Sequence, residues 1–246
     1  MARALLLRGL LAGVLAGLLA VGFAALFGEP PLDLAIGFET LTHHADHAAE
    51  PALVSRAVQR SVGLAFAGVA CGAALGGIIA LVFALAYQRI GRFTPRMLAA
   101  LLAGGGFVAT VLAPQLKYPA NPPSIGTPAT IGLRTALYFE MILIALAALV
   151  LAVLLARWLL HRAGAWNAWL IAALAFIGIV AAVQAVLPAI NEVPDGFPAA
   201  VLWHFRIASL GMQFVLWAAL GIIFGTLAER SLGRRSARTS HARPAD

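Results

Sequence analysis

The sequence predicts an all-α, polytopic membrane protein with six transmembrane helices and both termini in the cytoplasm. Three observations predict it. Of the 246 residues, 62% are hydrophobic and only 11% charged, whereas soluble domains are about 45–50% apolar and about 25% charged. Six stretches approach the roughly 20 apolar residues that a helix needs to cross hydrocarbon. Arginine and lysine gather on alternate connections between those stretches, as the positive-inside bias requires.

The elements follow in order. Residues 9–27 form the first span. Arg3 and Arg8 precede it as in a signal peptide, but the run is 19 residues long, against about 7–15 for a signal h-region. It therefore reads as a retained helix. Further spans are predicted near 61–86, 97–113, 135–156, 168–187 and 207–227. The third is short, Gly104-Gly105-Gly106 weakens it, and Pro114 is expected to stop it. With the N-terminus inside, twelve of the 17 Arg and Lys residues fall on inner segments and five (Arg56, Arg60, Lys117, Arg134 and Arg206) on outer ones. Seven of the ten acids (Glu29, Asp33, Glu39, Asp46, Glu50, Glu192 and Asp195) fall outside. Residues 1–229 read as one integral membrane domain and 230–246 as a disordered basic cytoplasmic tail. That tail would act as a topology determinant beside anionic lipid, a disordered tail with no other task being the plainer reading, and the placement of the arginines explains the net charge of +7 without nucleic acid.

Gly9, Gly13 and Gly17 recur every four residues in the first helix, and Gly68, Gly72 and Gly76 in the second. Gly221 and Gly225 repeat the spacing in the sixth. Glycine at this spacing flattens a helix face and lets backbones approach. The reading is that the first two helices cross through these stripes with the sixth nearby; a stripe serving a partner subunit is the other. The outer ends of the odd helices carry "FGEPPLD" (27–33), "APQLKYPANPP" (113–123) and "LPAINEVPDGFP" (187–198). Proline fixes the backbone there, so these segments are expected to be stiff caps.

Several chemistries are excluded. The single lysine, Lys117, sits in no G-x-x-x-x-G-K-[ST] loop, so any ATP coupling belongs to another chain. The single cysteine, Cys71, allows neither an intrachain disulfide nor a cysteine zinc site. No nucleophile–base pair or cofactor fingerprint marks an enzyme, and a bis-histidine haem needs two histidines at matched depth, which the sequence lacks. No permanently bound cofactor is expected.

The polar residues at membrane depth are few and therefore informative. Glu140, Met141, Gln184, His204, Arg206, Met212 and Gln213 are expected near the outer half of their helices, as a transport path or gate. A Glu140–Arg206 ion pair pinning two helices is the plainer reading of two of them. The first outer loop, "THHADHAAEP" (42–51), places three histidines and two acids within ten residues. His43, His44, Asp46 and His47 form a candidate ligand set; imidazole with carboxylate suits Co²⁺, Ni²⁺ or Zn²⁺. Without thiolate, such a site would exchange its ion. A solvated loop with no ligand is the alternative. Neutral imidazole is the ligand, so capture should weaken below about pH 6.5.

Three stretches resemble a known family. They are "PQLKYPANPPSIGTPATIGLRTALYF" (114–139), "INEVPDGFPAAVLWHFRIASLGMQFVLW" (190–217), and "GFE" before the histidine loop with "RAVQRSVGLAFAGVACGAALGGIIALVFAL" (56–85). They are similar to the CbtA family of predicted cobalt transporter subunits, nearly to the arginine tail. The resemblance implies an integral protein of the bacterial inner membrane that takes up Co²⁺ for cobalamin synthesis. It also implies a small single-span, histidine-bearing CbtB-type partner. Lys117, Tyr118, Asn121, Pro122, Glu192, Phe205 and Arg206 occupy family motif positions; Lys117, Tyr118, Asn121, Pro122 and Glu192 lie in the outer loops. His204 departs from the family, where a basic residue such as Arg is expected. A homo-oligomer is a further expectation. The reading is a metal-uptake subunit in which the histidine loop captures the ion and a polar outer vestibule passes it inward. The alternative is a non-transporting scaffold or metal sensor that assembles the partner.

Overall fold

A computed structural model of the chain describes residues 2–43, 55–91, 93–123 and 125–241. Helix is the sole regular structure among them. In chain order the elements are α1 (Ala2–Phe23), a π-helical turn (Ala24–Gly28), α2 (Glu29–His43), α3 (Arg56–Val58), a second π turn (Gln59–Gly63) and α4 (Leu64–Ala86). There follow α5 (Pro95–Phe107), a third π turn (Val108–Leu112), α6 (Ala113–Lys117), a 3₁₀ turn (Pro128–Thr130), α7 (Ile131–Val186) and α8 (Ala199–His241).

Five helical segments among the described residues are long and apolar enough to cross a membrane: Arg3–Phe38, Arg56–Ala86, Pro95–Lys117, Pro128–Val186 and Ala199–Gly233. Six were expected. The difference lies in α7, which stays helical on both sides of a break. Its 56 residues would make a straight rod of about 84 Å, against a hydrocarbon core of about 30 Å. Gly164 breaks it with φ 75° and ψ 163°, a left-handed conformation that glycine adopts without steric cost. Val180 shares one buried cluster with Met141, Ala145 and Ala148, and Ala172 shares another with Ala152 and Ala156. Residues so far apart on one helix meet only if the two arms fold back antiparallel. The expected spans 135–156 and 168–187 lie one on each arm.

Two expected stops are not stops. Pro30 and Pro31 lie in the first turn of α2, and Pro114 lies at the start of α6. A proline inside a helix removes a donor and crowds the carbonyl four residues back. In both places a π turn comes immediately before the new helix, at Ala24–Gly28 and Val108–Leu112. The wider turn shifts the hydrogen-bond register ahead of the proline. Accordingly "FGEPPLD" is helical and not a loop cap, and the third span runs through Gly104–Gly106 to Lys117. The sixth also overruns its expected end, since α8 continues to His241.

The described residues divide into two compact units. The first draws on Met1–Pro30, His47–Gly104 and Gly211–Asp246. Its centre is an antiparallel pair, α1 and α4, closed by the predicted glycines. A Cβ on Gly13 would lie 2.7 Å from the Gly72 carbonyl carbon and overlap its oxygen. Gly9 is blocked in the same way by Gly76, and Gly17 by Gly68. Each step of four up one helix matches four down the other, and the same register carried outward brings Glu29 to Arg56, which form an ion pair. The sixth helix is indeed nearby, with Phe224 edge-on to Phe83 at 5.2 Å and Phe23 against Gly211. Its own glycine pair serves a different neighbour: Gly221 and Gly225 seat Ala103 and Ala99 of α5. Arg96 and Glu229 close that contact with an ion pair.

The second unit draws on Pro31–Asp46 and Gly105–Leu210. It contains the α7 hairpin, α6 and both proline-rich segments 113–123 and 187–198. In each unit the packing is inverted relative to a soluble protein. The buried positions are chiefly alanine, including Ala12, Ala16, Ala99, Ala103, Ala145, Ala148 and Ala156. Large apolar side chains such as Leu11, Leu26, Phe66, Leu85, Leu143 and Ile222 are exposed. Lipid accepts such a surface, and small residues inside allow the close contact that drives helix association there.

Candidate functional site

The second unit holds a polar cleft of about 190 Å³. Four segments build it. The turn after α6 contributes Tyr118, Asn121 and Ile125, α7 contributes Arg134 and Tyr138, the 187–198 segment contributes Ile190 and Asn191, and α8 contributes Arg206.

Cross-links between the proline-rich segments set its shape. The Tyr118 hydroxyl donates to the Pro188 carbonyl at 2.9 Å. The Thr127 amide donates to Glu192 Oε2 at 3.0 Å, and Arg134 Nε stands 3.6 Å from the same oxygen. Beneath them Ala35, Ile125 and Phe197 form a small apolar core, with Phe38 edge-on to Phe197 at 5.0 Å. Pro122 is fully buried. Gly126, at φ 109°, leaves room for the Arg134 guanidinium: a Cβ there would lie 2.5 Å from its Cζ. These bonds tie the two segments to each other and to α7.

The two arginines differ from an ordinary surface pair. Arg206 Nη2 donates to Asn121 Oδ1 at 2.8 Å, and Arg134 Nη1 reaches the Ile125 carbonyl at 3.5 Å. The Nε atoms of both are closed to solvent and without a hydrogen-bond partner. Glu192, bonded by the Thr130 hydroxyl first, then by the Thr127 amide and the charge of Arg134, has its carboxyl held below the usual range despite some desolvation. The Tyr118 phenol is pushed up, mainly by desolvation and then by the negative charge of Glu140. It therefore remains a neutral donor.

The remaining candidates are dispersed. Glu140 and His204 are exposed. The expected Glu140–Arg206 pair does not form, because Glu140 lies off the buried face of α7 defined by Leu137, Met141 and Ala145, and Arg206 is turned to Asn121. Met141 is sealed in the alanine cluster. Gln184 donates to the Ala113 carbonyl at 2.8 Å, beside Pro114, whose ring nitrogen carries no hydrogen. Met212 and Gln213 belong to the first unit, and Lys117 closes α6. His44, Asp46 and His47 lie outside the described residues, as does the side chain of His43, the last residue of α2. Among the described residues no three His, Cys, Asp or Glu side chains converge as a metal site. Sequence reasoning missed Arg134, Tyr138, Asn191 and Gly126 as members of one site. The available signal was a pattern common to the two loops that the site joins, a charged residue between prolines: Lys117 between Pro114 and Pro119, and Glu192 between Pro188 and Pro194.

Long apolar helices, an alanine and glycine interior and a large apolar exterior define a multi-pass helical membrane protein. The family comparison then gives its kind. The profile described as "Probable cobalt transporter subunit (CbtA)" matches residues 2–229, so the chain belongs to the CbtA family and has a membrane role in cobalt transport. No curated protein and no solved structure matches it.

Proposed function

We propose that the chain is the membrane subunit of a bacterial cobalt uptake system, crossing the inner membrane six times with both termini in the cytoplasm. The observation that carries this is the family match over residues 2–229. The α7 hairpin supports the sixth crossing, since each arm beside Gly164 is long enough to span. In this reading 1–229 is the membrane domain and 230–246 a basic cytoplasmic tail. The outer loop captures Co²⁺, with Ni²⁺ or Zn²⁺ as competitors, through His43, His44, Asp46 and His47. The ion then passes the vestibule framed by segments 117–123 and 191–198 and moves inward past Glu140, Gln184 and Gln213, with Met141 and Met212 as soft donors. A small single-span, histidine-bearing CbtB-type subunit completes the system, and no catalytic step is assigned.

The test is radiolabelled Co²⁺ uptake by transporter-deficient cells expressing the chain with and without the small subunit. The His43, His44 and His47 to Ala variant should lose uptake at low metal and recover it at high metal. Glu140→Gln should abolish uptake. Normal uptake at low metal by the first variant would remove the loop from the mechanism. A scaffold or sensor reading draws support from Met141 and Gln184, whose donor atoms are committed to packing. Full expression with no uptake in any combination would favour it.

A further inference from the structure

We propose that the Arg134–Arg206 cleft is an anion site that holds one oxyanion, a carboxylate or phosphate group. The cleft lies in the outer vestibule described above, but the inference rests on its geometry and not on metal transport.

A guanidinium offers five N–H donors in a planar fork. Arg206 uses one of them among the described residues, on the Asn121 amide oxygen. Arg134 uses one weakly and stands at 3.6 Å from Glu192, beyond good hydrogen-bond length. The Nε of each is nevertheless closed to solvent and unbonded. A ligand in the cleft reaches these closed Nε atoms no better than water does, and Arg134 Nε already faces the Glu192 carboxylate, so the donors open to an incoming anion are the terminal Nη groups that these bonds leave over. Both arginines line the same 190 Å³ cleft, a volume suited to one small headgroup or ion and far below a drug-sized ligand.

The lining supplies donors and no acid. Tyr138 and the Asn121 and Asn191 amides complete it, the Tyr118 hydroxyl hydrogen being committed to the Pro188 carbonyl, and no carboxylate is among the lining residues. Glu192 neutralises part of the Arg134 charge from outside the lining, so Arg206 is the cation left without an acidic partner among the described residues. Arg206 therefore makes the main contact and Arg134 the second. A planar fork matches carboxylate and phosphate oxygens two at a time, which no halide exploits. A bare divalent cation is repelled by the same pair. The cleft therefore does not hold Co²⁺ alone. It neutralises an anion that enters with the metal or a phosphate that belongs to the lipid.

The experiment uses the full chain. Inorganic phosphate is titrated calorimetrically into protein in zwitterionic detergent, and retained phosphatidylglycerol is counted by native mass spectrometry after passage through acidic nanodiscs. Saturable binding of one phosphate in detergent identifies a soluble oxyanion. One retained acidic lipid without phosphate binding identifies the headgroup, and either result supports the site. Arg206→Gln, eluting and melting as wild type, should weaken the bound species about tenfold or more. Arg206→Lys, which keeps the charge but loses the fork, should fall between them. Wild-type protein that binds neither probe overturns the proposal without recourse to any variant. So does undiminished binding by both Arg206→Gln and Arg134→Gln, which would place the anion elsewhere.

Discussion

The two compact units of this chain are held together by opposite means. In the first, α1 and α4 touch backbone to backbone where Gly9, Gly13 and Gly17 meet Gly76, Gly72 and Gly68, with only Ala80 and Val21 close beside them. In the second, the proline-rich segments stand apart and are tied by side chains: Tyr118 to the Pro188 carbonyl, Glu192 to Thr127 and Arg134, Arg206 to Asn121. A seam of backbone has no adjustable part, whereas a mesh of polar side chains leaves donors over. The difference explains how the second unit can hold an open cleft lined by arginines with donors to spare.

The comparison breaks most sharply at the seam. Gly13→Leu would drive a side chain into the Gly72 carbonyl with no flexible neighbour to yield, at an overpacking cost of about 3 kcal/mol or more. Loss of the folded peak in detergent size exclusion, or a melting temperature lowered by many degrees, is the expected result. Gly22→Leu is the control, since nothing lies within 4 Å of a Cβ there, and it should melt as wild type. Equal behaviour of the two variants would mean that the stripe does not hold the unit together.

The next effect is on the mesh, and it depends on pH. The folded state holds the Glu192 carboxyl below its ordinary range, so the unfolded chain binds its proton more readily than the folded one does. The stabilisation is therefore fully present above the ordinary carboxylate range and lost as pH falls through the lowered folded value. Thermal melts of wild type should fall with acidification more steeply than those of Glu192→Gln, which has no such proton to take up. Parallel melting curves for the two from neutral to acid pH would separate Glu192 from the stability of the loops.

These contrasts also show what was legible in the sequence. The glycine seam was, because its spacing of four is local and glycine has no competing use at the centre of a helix. Its register was not, but it extends to Glu29 and Arg56 once the pairing is known. The helices through Pro30, Pro31 and Pro114 were hidden, since proline reads as a stop unless a π turn precedes it, and the π turns have no composition of their own. The cleft was partly visible: Tyr118, Asn121, Glu192 and Arg206 were each singled out. Their pairing was not visible, because Asn121 and Arg206 are 85 positions apart, and helix depth alone suggested Glu140. That error came from treating depth as proximity, whereas the rotation of α7 decides which residues face one another.

The smallest effect is also the most local. Tyr118→Phe keeps the ring that lines the cleft and removes only the hydroxyl that reaches the Pro188 carbonyl at 2.9 Å. One neutral hydrogen bond contributes about 1 kcal/mol, and this one is exposed, so water can replace much of it. A melting temperature lowered by a degree or two is expected. The consequence for the cleft should be larger than the consequence for stability, because this bond fixes the distance between the two segments that carry Asn121 and Asn191. If the mesh shapes the site, Tyr118→Phe should weaken oxyanion binding severalfold while Arg206 remains in place. A variant that binds as wild type would show that the apolar core of Ile125, Phe197 and Ala35 sets the spacing without the hydroxyl.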